Sequence, residues 1–351
     1  MRAQGLEPQA LTVDDETITT FETLKTNRNI IINGDFEWAQ RGSSWVAAAN
    51  NIYPVDRFQY AKSGTMVHTL TQHAGPPGSS GPPTVAQSGH RSFYTLKADC
   101  TTADASIAAG DRVTISTLIE GYDYNTVAGL EGTLSFWVKA TKTGIYCAIF
   151  KAGGSDGSYI VEYTVNSSNT WEKKTMTVLF DESVGTWGHT SDTGLYIGWC
   201  LASGSTYQTT PNTWQSGNYI ATSNQVNACD SASNDFELAQ VKFEVGTEAT
   251  PFIPRPSGEE FALCQRYYEF GSIIIRGLAY AAGSKLTVPY AYQVIKRTTP
   301  TITLNLVTDG GSNATVNQEK NHTSCLSISA ESTDATDNVY VSATFEADAE
   351  L

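Results

Sequence analysis

The sequence has little positive charge. Its 351 residues hold 22 Lys and Arg against 36 Asp and Glu, which gives a formal net charge of −14. The basic residues form no cluster, so the chain lacks the usual electrostatic source of binding to a phosphate backbone. Nucleic acid is therefore not expected as a partner.

Long hydrophobic runs are also missing. No stretch approaches the ~20 apolar residues that span a bilayer, and no hydrophobic segment follows the charges near the N-terminus. We therefore expect no membrane insertion and a chain that is made in the cytoplasm.

Motifs of enzymes and metal sites are scarce. The chain has no HExxH, no Walker loop and no GxGxxG between a strand and a helix. Its six cysteines show no CxxC or Cys/His metal spacing, so we expect reduced, buried thiols, with a Cys200–Cys229 bridge as the alternative. Glycan cleavage needs two opposed carboxylates, and 36 acids supply many arbitrary pairs, so this sequence favours a protein that is not an enzyme.

Short strand patterns fill most of the chain. Charged residues make up only 17% of it, and β-branched and aromatic runs recur between turn residues. Examples lie at residues 133–139, 146–150, 159–165, 195–199 and 236–243. Such even spacing predicts an all-β fold with an antiparallel jelly-roll β-sandwich over residues 28–255.

A second β-patterned block follows a short connector. The sequence predicts a helix over residues 256–271, in which Ser257 and Glu260 form a capping box and Gly271 ends the helix. Residues 272–351 then predict a smaller C-terminal β domain. About 80 residues form a marginal core, so oligomerisation would supply the missing stability.

The first 27 residues differ from the rest. Residues 1–27 are polar and lack the alternation that makes a sheet, although a short helix near residues 14–25 fits their pattern. Two interpretations remain open, a peptide that docks into a larger partner or a partly ordered terminus.

Five segments resemble bacteriophage tail-fibre and related receptor-binding virion proteins. They are NIIINGDFEWAQRG at residues 29–42, VDRF at 55–58, QVKFEVGTEATPF at 240–252, LCQRYYE at 263–269 and FEADAEL at 345–351. The first resembles the start of the carbohydrate-binding-module-like jelly roll of those proteins. Together the segments bracket residues 29–351 in the expected order.

This resemblance implies a virion structural protein that assembles as a homotrimer. Its expected role is a tail fibre that attaches to host surface polysaccharide, held to another virion protein by residues 1–27. Capsid decoration or a head fibre is the first alternative, and a glycan depolymerase is the second. The tail of the virion is the favoured location over the head.

Four aromatic residues in polar loops are candidates for sugar binding: Trp187, Tyr207, Trp214 and Tyr219. Aromatic faces stack on pyranose rings, and neighbouring amides and hydroxyls bind the sugar hydroxyls. The equal alternative is that the long loop at residues 201–233 packs against its own sandwich or a neighbouring subunit.

A structural calcium ion is implied only by the resemblance. Carbohydrate-binding jelly rolls often hold calcium through an early Asn-Gly-x-Phe-Glu segment and a late acidic strand, and the matching positions are Glu37 and Asp235. Calcium takes six to eight oxygens, so two carboxylates do not make a site. The alternative is a turn with a surface acid, and no other cofactor is expected.

Overall fold

The protein is described by a computed structural model. The described residues are 28–78, 80–278, 280–308, 314–333 and 338–351. The predicted arm at residues 1–27 lies outside them.

The first block is a sandwich of two antiparallel sheets. Its strands are β1 (Ser44–Trp45), β2 (Ile52–Val55), β3 (Phe58–Ser63), β4 (Val67–Ala74), β5 (Tyr94–Thr102), β6 (Arg112–Glu120), β7 (Glu131–Ala140), β8 (Gly144–Ala152), β9 (Gly157–Val165), β10 (Glu172–Leu179), β11 (Thr193–Ser203), β12 (Gln215–Ser216) and β13 (Asp235–Val245). Two single-turn helices, α1 (Val85–Ser88) and α2 (Gly121–Tyr124), and a 3₁₀ turn at Ser205–Tyr207 lie between strands.

The strand order is that of a jelly roll. One sheet has the order β1-β4-β5-β13-β7-β10, and the other has the order β12-β9-β8-β11-β6-β3-β2. The late strands β13 and β11 each lie between two earlier strands, because the chain crosses between the sheets as it winds. The predicted all-β class with an antiparallel jelly-roll sandwich is confirmed.

Alternation along the strands separates the core from the outer faces. In β8, Tyr146, Ala148 and Phe150 enter the core between the sheets. Cys147 and Ile149 face the other way and join a small cluster on the outer face of the seven-stranded sheet. Successive strand residues point to opposite faces, so the sequence pattern decides which side chains line that outer face.

The connector helix is shorter than predicted, and its cap is different. Helix α3 (Ser257–Gln265) follows Pro256, and no side chain caps it. The predicted capping box is wrong because the Glu260 carboxylate pairs with Arg255 at 2.9 Å and accepts the backbone N–H of Asn33. The predicted end at Gly271 is also wrong, because the backbone from Tyr268 onward pairs with the last strand of the chain.

The C-terminal block is a smaller pair of three-stranded sheets. Its strands are β14 (Tyr268–Leu278), β15 (Lys285–Ala291), β16 (Thr301–Thr308), β17 (Ala314–Asn321), β18 (Cys325–Ser332) and β19 (Asn338–Asp348). The sheets have the orders β14-β19-β16 and β15-β18-β17. Leu326, Ile328, Val341 and Phe345 belong to a core that is separate from the jelly-roll core.

A buried polar cluster joins the two blocks, and we call Arg41, Arg57, Tyr267, Tyr268 and Glu350 the C-terminal clamp. Arg57 is only 2% exposed and pairs with Glu350. Its guanidinium carbon lies 3.5 Å from the ring centre of Tyr267. Arg41 pairs with Glu350 at 3.3 Å and lies 3.6 Å from the ring centre of Tyr268. Residues from four of the five segments that carry the resemblance therefore meet in one place.

The cysteines are free within the described residues. Five are buried and Cys325 is exposed, which departs from the expectation that all six are buried. Cys200 packs in the outer cluster, while the sulfur of Cys229 lies 3.6 Å from His68. In the same part of the chain, no helix is long and apolar enough to cross a membrane.

Arg57→Met is expected to lower the free energy of unfolding by about 3 kcal/mol, because it removes the more deeply buried of the two cations that neutralise Glu350 and leaves Arg41 as the remaining partner of that carboxylate. Urea unfolding of the full chain measures the change. Arg28→Met is the matched control, because Arg28 is 60% exposed in its 3.6 Å pair with Asp123 and should cost less than about 1 kcal/mol. Equal effects of the two substitutions would contradict the proposed role of the clamp.

Candidate functional site

Trp187 and Trp214 lie together at one edge of the jelly roll. Their ring centres are 5.2 Å apart, and Trp187 also stacks on Tyr124 at 4.9 Å. The indole N–H of Trp187 donates to the Val184 carbonyl at 3.0 Å, and that of Trp214 donates to the Leu179 carbonyl at 2.9 Å. Both rings are partly buried against the main core, as the packing alternative describes.

Tyr207 and Tyr219 lie elsewhere, on the outer face of the seven-stranded sheet. Both pack against the small cluster that includes Ile160 and Ile220. The Arg112 guanidinium lies 5.0 Å from the ring centre of Tyr207. The four predicted aromatic residues therefore form two separate pairs, and their role in ligand binding stays a prediction.

The two predicted calcium ligands do not form a metal site. Asp235 pairs with Lys97 at 2.9 Å, so a lysine already supplies its counter-charge. Glu37 lies near Asp35 and Glu260, and burial with these charges raises the pKa of Glu37. Across the described ranges, no group of three or more His, Cys, Asp or Glu is arranged to hold a metal ion. The residues present do not fit the calcium that the resemblance implies.

A polar cleft opens on the outer face of the seven-stranded sheet. Its volume is about 220 Å³, and β3, β6, β8 and β11 form its floor. The lining residues are Asn51, Gln59, Ala61, Arg112, Thr114, Leu118, Lys151, Ser155, Tyr196, Asn218 and Ile220. This set combines an aromatic ring, amides, hydroxyls and two cations, and it contains no Asp, Glu or His.

Tyr196 forms the aromatic wall of the cleft because Gly198 leaves room for it. The two residues share a face of β11, and a Cβ at position 198 would lie 2.8 Å from Cε1 of Tyr196. In register, Tyr196 lies beside Lys151 of β8 and Leu118 of β6. Glycine is therefore required at 198 for the tyrosine ring to lie over the strand.

Lys151 is the unusual charge in this cleft. It is 6% exposed, and its ammonium donates to the Asn218 side-chain oxygen at 3.0 Å and lies 3.9 Å from the ring centre of Tyr196. Burial, with a smaller effect from Arg112, lowers the pKa of Lys151 to about 8. The Arg112 side chain makes no ion pair or hydrogen bond to any described residue.

The sequence interpretation missed Tyr196, Gly198 and Lys151. Residues 195–199 are predicted as a strand, and the alternation of Leu195, Ile197 and Trp199 already places Tyr196 on the opposite face. The sequence instead indicates the aromatic loop residues as sugar-binding candidates, because those residues lie among polar neighbours. An outward-facing tyrosine followed two positions later by a glycine is the feature of the sequence that could have indicated this site.

One enzyme-like spacing also lies at the cleft. Residues 153–157 read Gly-Gly-Ser-Asp-Gly, which is the GxSxG spacing of a nucleophile elbow, and Ser155 has a φ of 56°. The segment joins β8 to β9 as a hairpin, whereas the elbow joins a strand to a helix. No histidine lines the cleft to activate the serine. The geometry therefore does not support a serine hydrolase.

Comparisons with solved structures find matches of low similarity. No protein-family model and no curated protein sequence matches the chain. The enzymatically active domain of Bacteriophage CBA120 tailspike protein 4 is 12% identical, with a TM-score of 0.32 over 62% of this chain and 21% of the tailspike chain. The chain thus matches about a fifth of the tailspike structure.

Two carbohydrate-binding modules align with this chain over nearly all of their own length, at low similarity. The CBM22-1 xylan-binding domain of Xyn10C from Paenibacillus barcinonensis is 10% identical, with a TM-score of 0.29 over 64% of this chain and 99% of the module. TmCBM61, solved with β-1,4-galactotriose, is 11% identical, with a TM-score of 0.29 over 63% of this chain and 99% of the module. Likeness at this level assigns no ligand to this chain.

Lys151→Met is expected to raise the free energy of unfolding by about 1–3 kcal/mol at pH 7, because each pKa unit corresponds to about 1.4 kcal/mol and methionine removes a buried, unpaired charge. The pKa of Lys151 is about 8 in the folded chain, below its unfolded value, so wild-type stability rises from there to about pH 10.4. The gain from the substitution should therefore be full below pH 8 and fade above it. Urea unfolding at several pH values measures it.

Lys139→Met is the matched control for this measurement. Lys139 is similarly buried, but it pairs with Glu237 at 2.9 Å, so its removal takes the lysine counter-charge away from a buried carboxylate and should destabilise the chain. A loss of stability in Lys151→Met as large as that in Lys139→Met would show that Lys151 is a structural cation.

Proposed function

We propose that the protein is a glycan-binding adhesin and that the cleft over β3, β6, β8 and β11 is its binding site. The observation that carries this proposal is the juxtaposition of Tyr196 with polar side chains across one open sheet face. Tyr196 gives the cleft an aromatic lining of the kind that contacts the apolar parts of a sugar. Gln59, Thr114 and Asn218 offer amides and a hydroxyl to its hydroxyl groups.

The bound glycan is held by non-covalent contacts and is not cleaved. Hydrolysis of a glycosidic bond by the common mechanism uses two carboxyl groups on opposite sides of the bond. The cleft lining contains no Asp or Glu, so neither a general acid nor a nucleophile is available there. Binding is therefore favoured over the depolymerase alternative.

The proposed setting is a tailed-phage virion, and it rests on the resemblance of the five segments. In this setting the protein assembles as a homotrimer, residues 1–27 attach it to another virion protein, and the cleft engages a host surface polysaccharide. The tail is the proposed location, and decoration of the capsid or a head fibre is the competing assignment. All three assignments use the same glycan-binding cleft.

Tyr196→Ala and Gly198→Ala are expected to weaken glycan binding about tenfold. The first removes the aromatic wall, and the second displaces it, because the new Cβ would lie within 2.8 Å of the ring; a loss of about 1.4 kcal/mol corresponds to tenfold. Affinity for the glycan that binds best on a bacterial polysaccharide array is measured by calorimetry.

Two further substitutions separate the alternatives. Tyr122→Ala is the control, because Tyr122 is 58% exposed and does not line the cleft. Trp214→Ala tests the loop residues that the sequence predicts. Full loss of binding in Trp214→Ala, with no change in Tyr196→Ala, would move the site from the cleft to the aromatic loop.

The location in the virion is tested by labelling intact particles with an antibody against residues 272–351. Label at the tail is expected for an adhesin, and electron microscopy records where it lands. Label over the head would contradict the tail assignment and favour decoration of the capsid. Detachment of the protein after deletion of residues 1–27 would identify the arm as the anchor in either place.

A further inference from the structure

The cleft is lined by positive charge, whereas the chain as a whole is acidic. The chain has a net charge of −14, yet the two ionised side chains that line the cleft at neutral pH are both positive, Arg112 and Lys151. An electropositive cleft in an acidic protein concentrates negatively charged ligands at that point.

Lys151 differs from every other buried cation that the structure describes. Five lysines and arginines are buried there: Arg57, Lys139, Lys151, Lys242 and Lys296. Four of them form an ion pair with an acid, at Glu350, Glu237, Glu244 and Glu269 in turn. Among these five, Lys151 alone has no carboxylate of a described residue within ion-pair distance. Because a buried ammonium is costly without an anion, its missing partner points to a ligand.

The two cations are held in place and still have donors to offer. The Lys151 ammonium uses one of its three donors on Asn218. Arg112 contacts the ring of Tyr207 and donates to no described residue, so its five N–H groups remain available. A guanidinium and an ammonium that line the same cleft both suit a carboxylate, which a guanidinium binds with two parallel hydrogen bonds.

We propose that the cleft selects an acidic glycan, with the carboxylate of a uronic-acid-type sugar bound by Lys151 beside Tyr196 and with Arg112 of β6 as a second cation further along β11. This inference rests on the proposed glycan-binding function and names its ligand class. The carboxylate of the sugar supplies the counter-ion that no described residue supplies to Lys151. Neutral polysaccharides leave both cations without a partner and bind more weakly.

The pH dependence of binding follows from the groups around Lys151. The titratable groups that face it in the cleft are Tyr196 of β11 and Arg112 of β6, and the other polar lining residues are neutral. Lys151 is charged below its lowered pKa and becomes neutral above it. Affinity for the acidic glycan should therefore fall as the pH rises from 7 to about 10, since a bound carboxylate shifts this titration upward.

The test begins with the full chain on an array of acidic and neutral bacterial polysaccharides. The best acidic binder is then converted to its neutral, carboxyl-reduced form. We expect at least tenfold weaker binding of the reduced form by calorimetry. Lys151→Met and Arg112→Gln should each lose at least tenfold on the acidic form, and each should lose less on the reduced form than on the acidic form. Lys173→Met is the control, because Lys173 is exposed and does not line the cleft.

The possible outcomes distinguish failure of the acidic-ligand inference from failure of the proposed glycan-binding function. Equal binding of the acidic and reduced forms, or preferential binding of neutral polysaccharides, would overturn the acidic ligand while leaving the glycan-binding function intact. Binding to no polysaccharide on the array would overturn both. Binding to sulfated polysaccharides alone would replace the carboxylate with a sulfate ester and contradict the inference as stated.

Discussion

The ion pair between Arg57 and Glu350 ties the end of the chain to the jelly roll. Burial alone would lower the pKa of Arg57, but the neighbouring Glu350 and Tyr267 raise it above its ordinary value, so the guanidinium stays charged. Arg41 binds the same carboxylate from the other side. Because a buried charge is tolerated only with its partner, the last residues of the chain must reach this position for the fold to be complete.

That constraint makes the C-terminal block an extension of the jelly roll. Helix α3 passes directly into β14, whose partner β19 ends at the clamp. A second buried pair, Lys296 with Glu269 at 2.5 Å, fixes the turn after the helix. The small core of the C-terminal block is therefore supported by polar contacts to its larger neighbour, which complements the marginal burial expected of about 80 residues.

The sequence predicts those features of the fold that depend on residues close together in the chain. Alternation identified the strands and the all-β sandwich, because each strand shows its buried face in its own residues. The end of α3 was mispredicted because Tyr268 pairs with Asp348, a partner distant in the sequence. The Glu260 cap failed because its carboxylate pairs with the nearby Arg255 and accepts the backbone N–H of Asn33, which lies 227 residues away in the sequence. The alternation of strand residues places Tyr196 and Gly198 on the same outward face. The absence of an acid beside Lys151 depends on which strands are neighbours in the folded chain, and the sequence does not show this.

The clamp and the cleft use the same chemistry with opposite results. At the clamp, Arg57 and Arg41 are neutralised by acids of the chain itself, so their charge contributes to the fold and is unavailable to a ligand. At the cleft, Lys151 and Arg112 are placed beside amides and aromatic rings, which hold the charges in position without neutralising them. A buried cation that is positioned but unpaired opposes folding, and natural proteins retain such groups where function requires them. The difference between the two sites is the reason for assigning one to stability and for proposing recognition at the other.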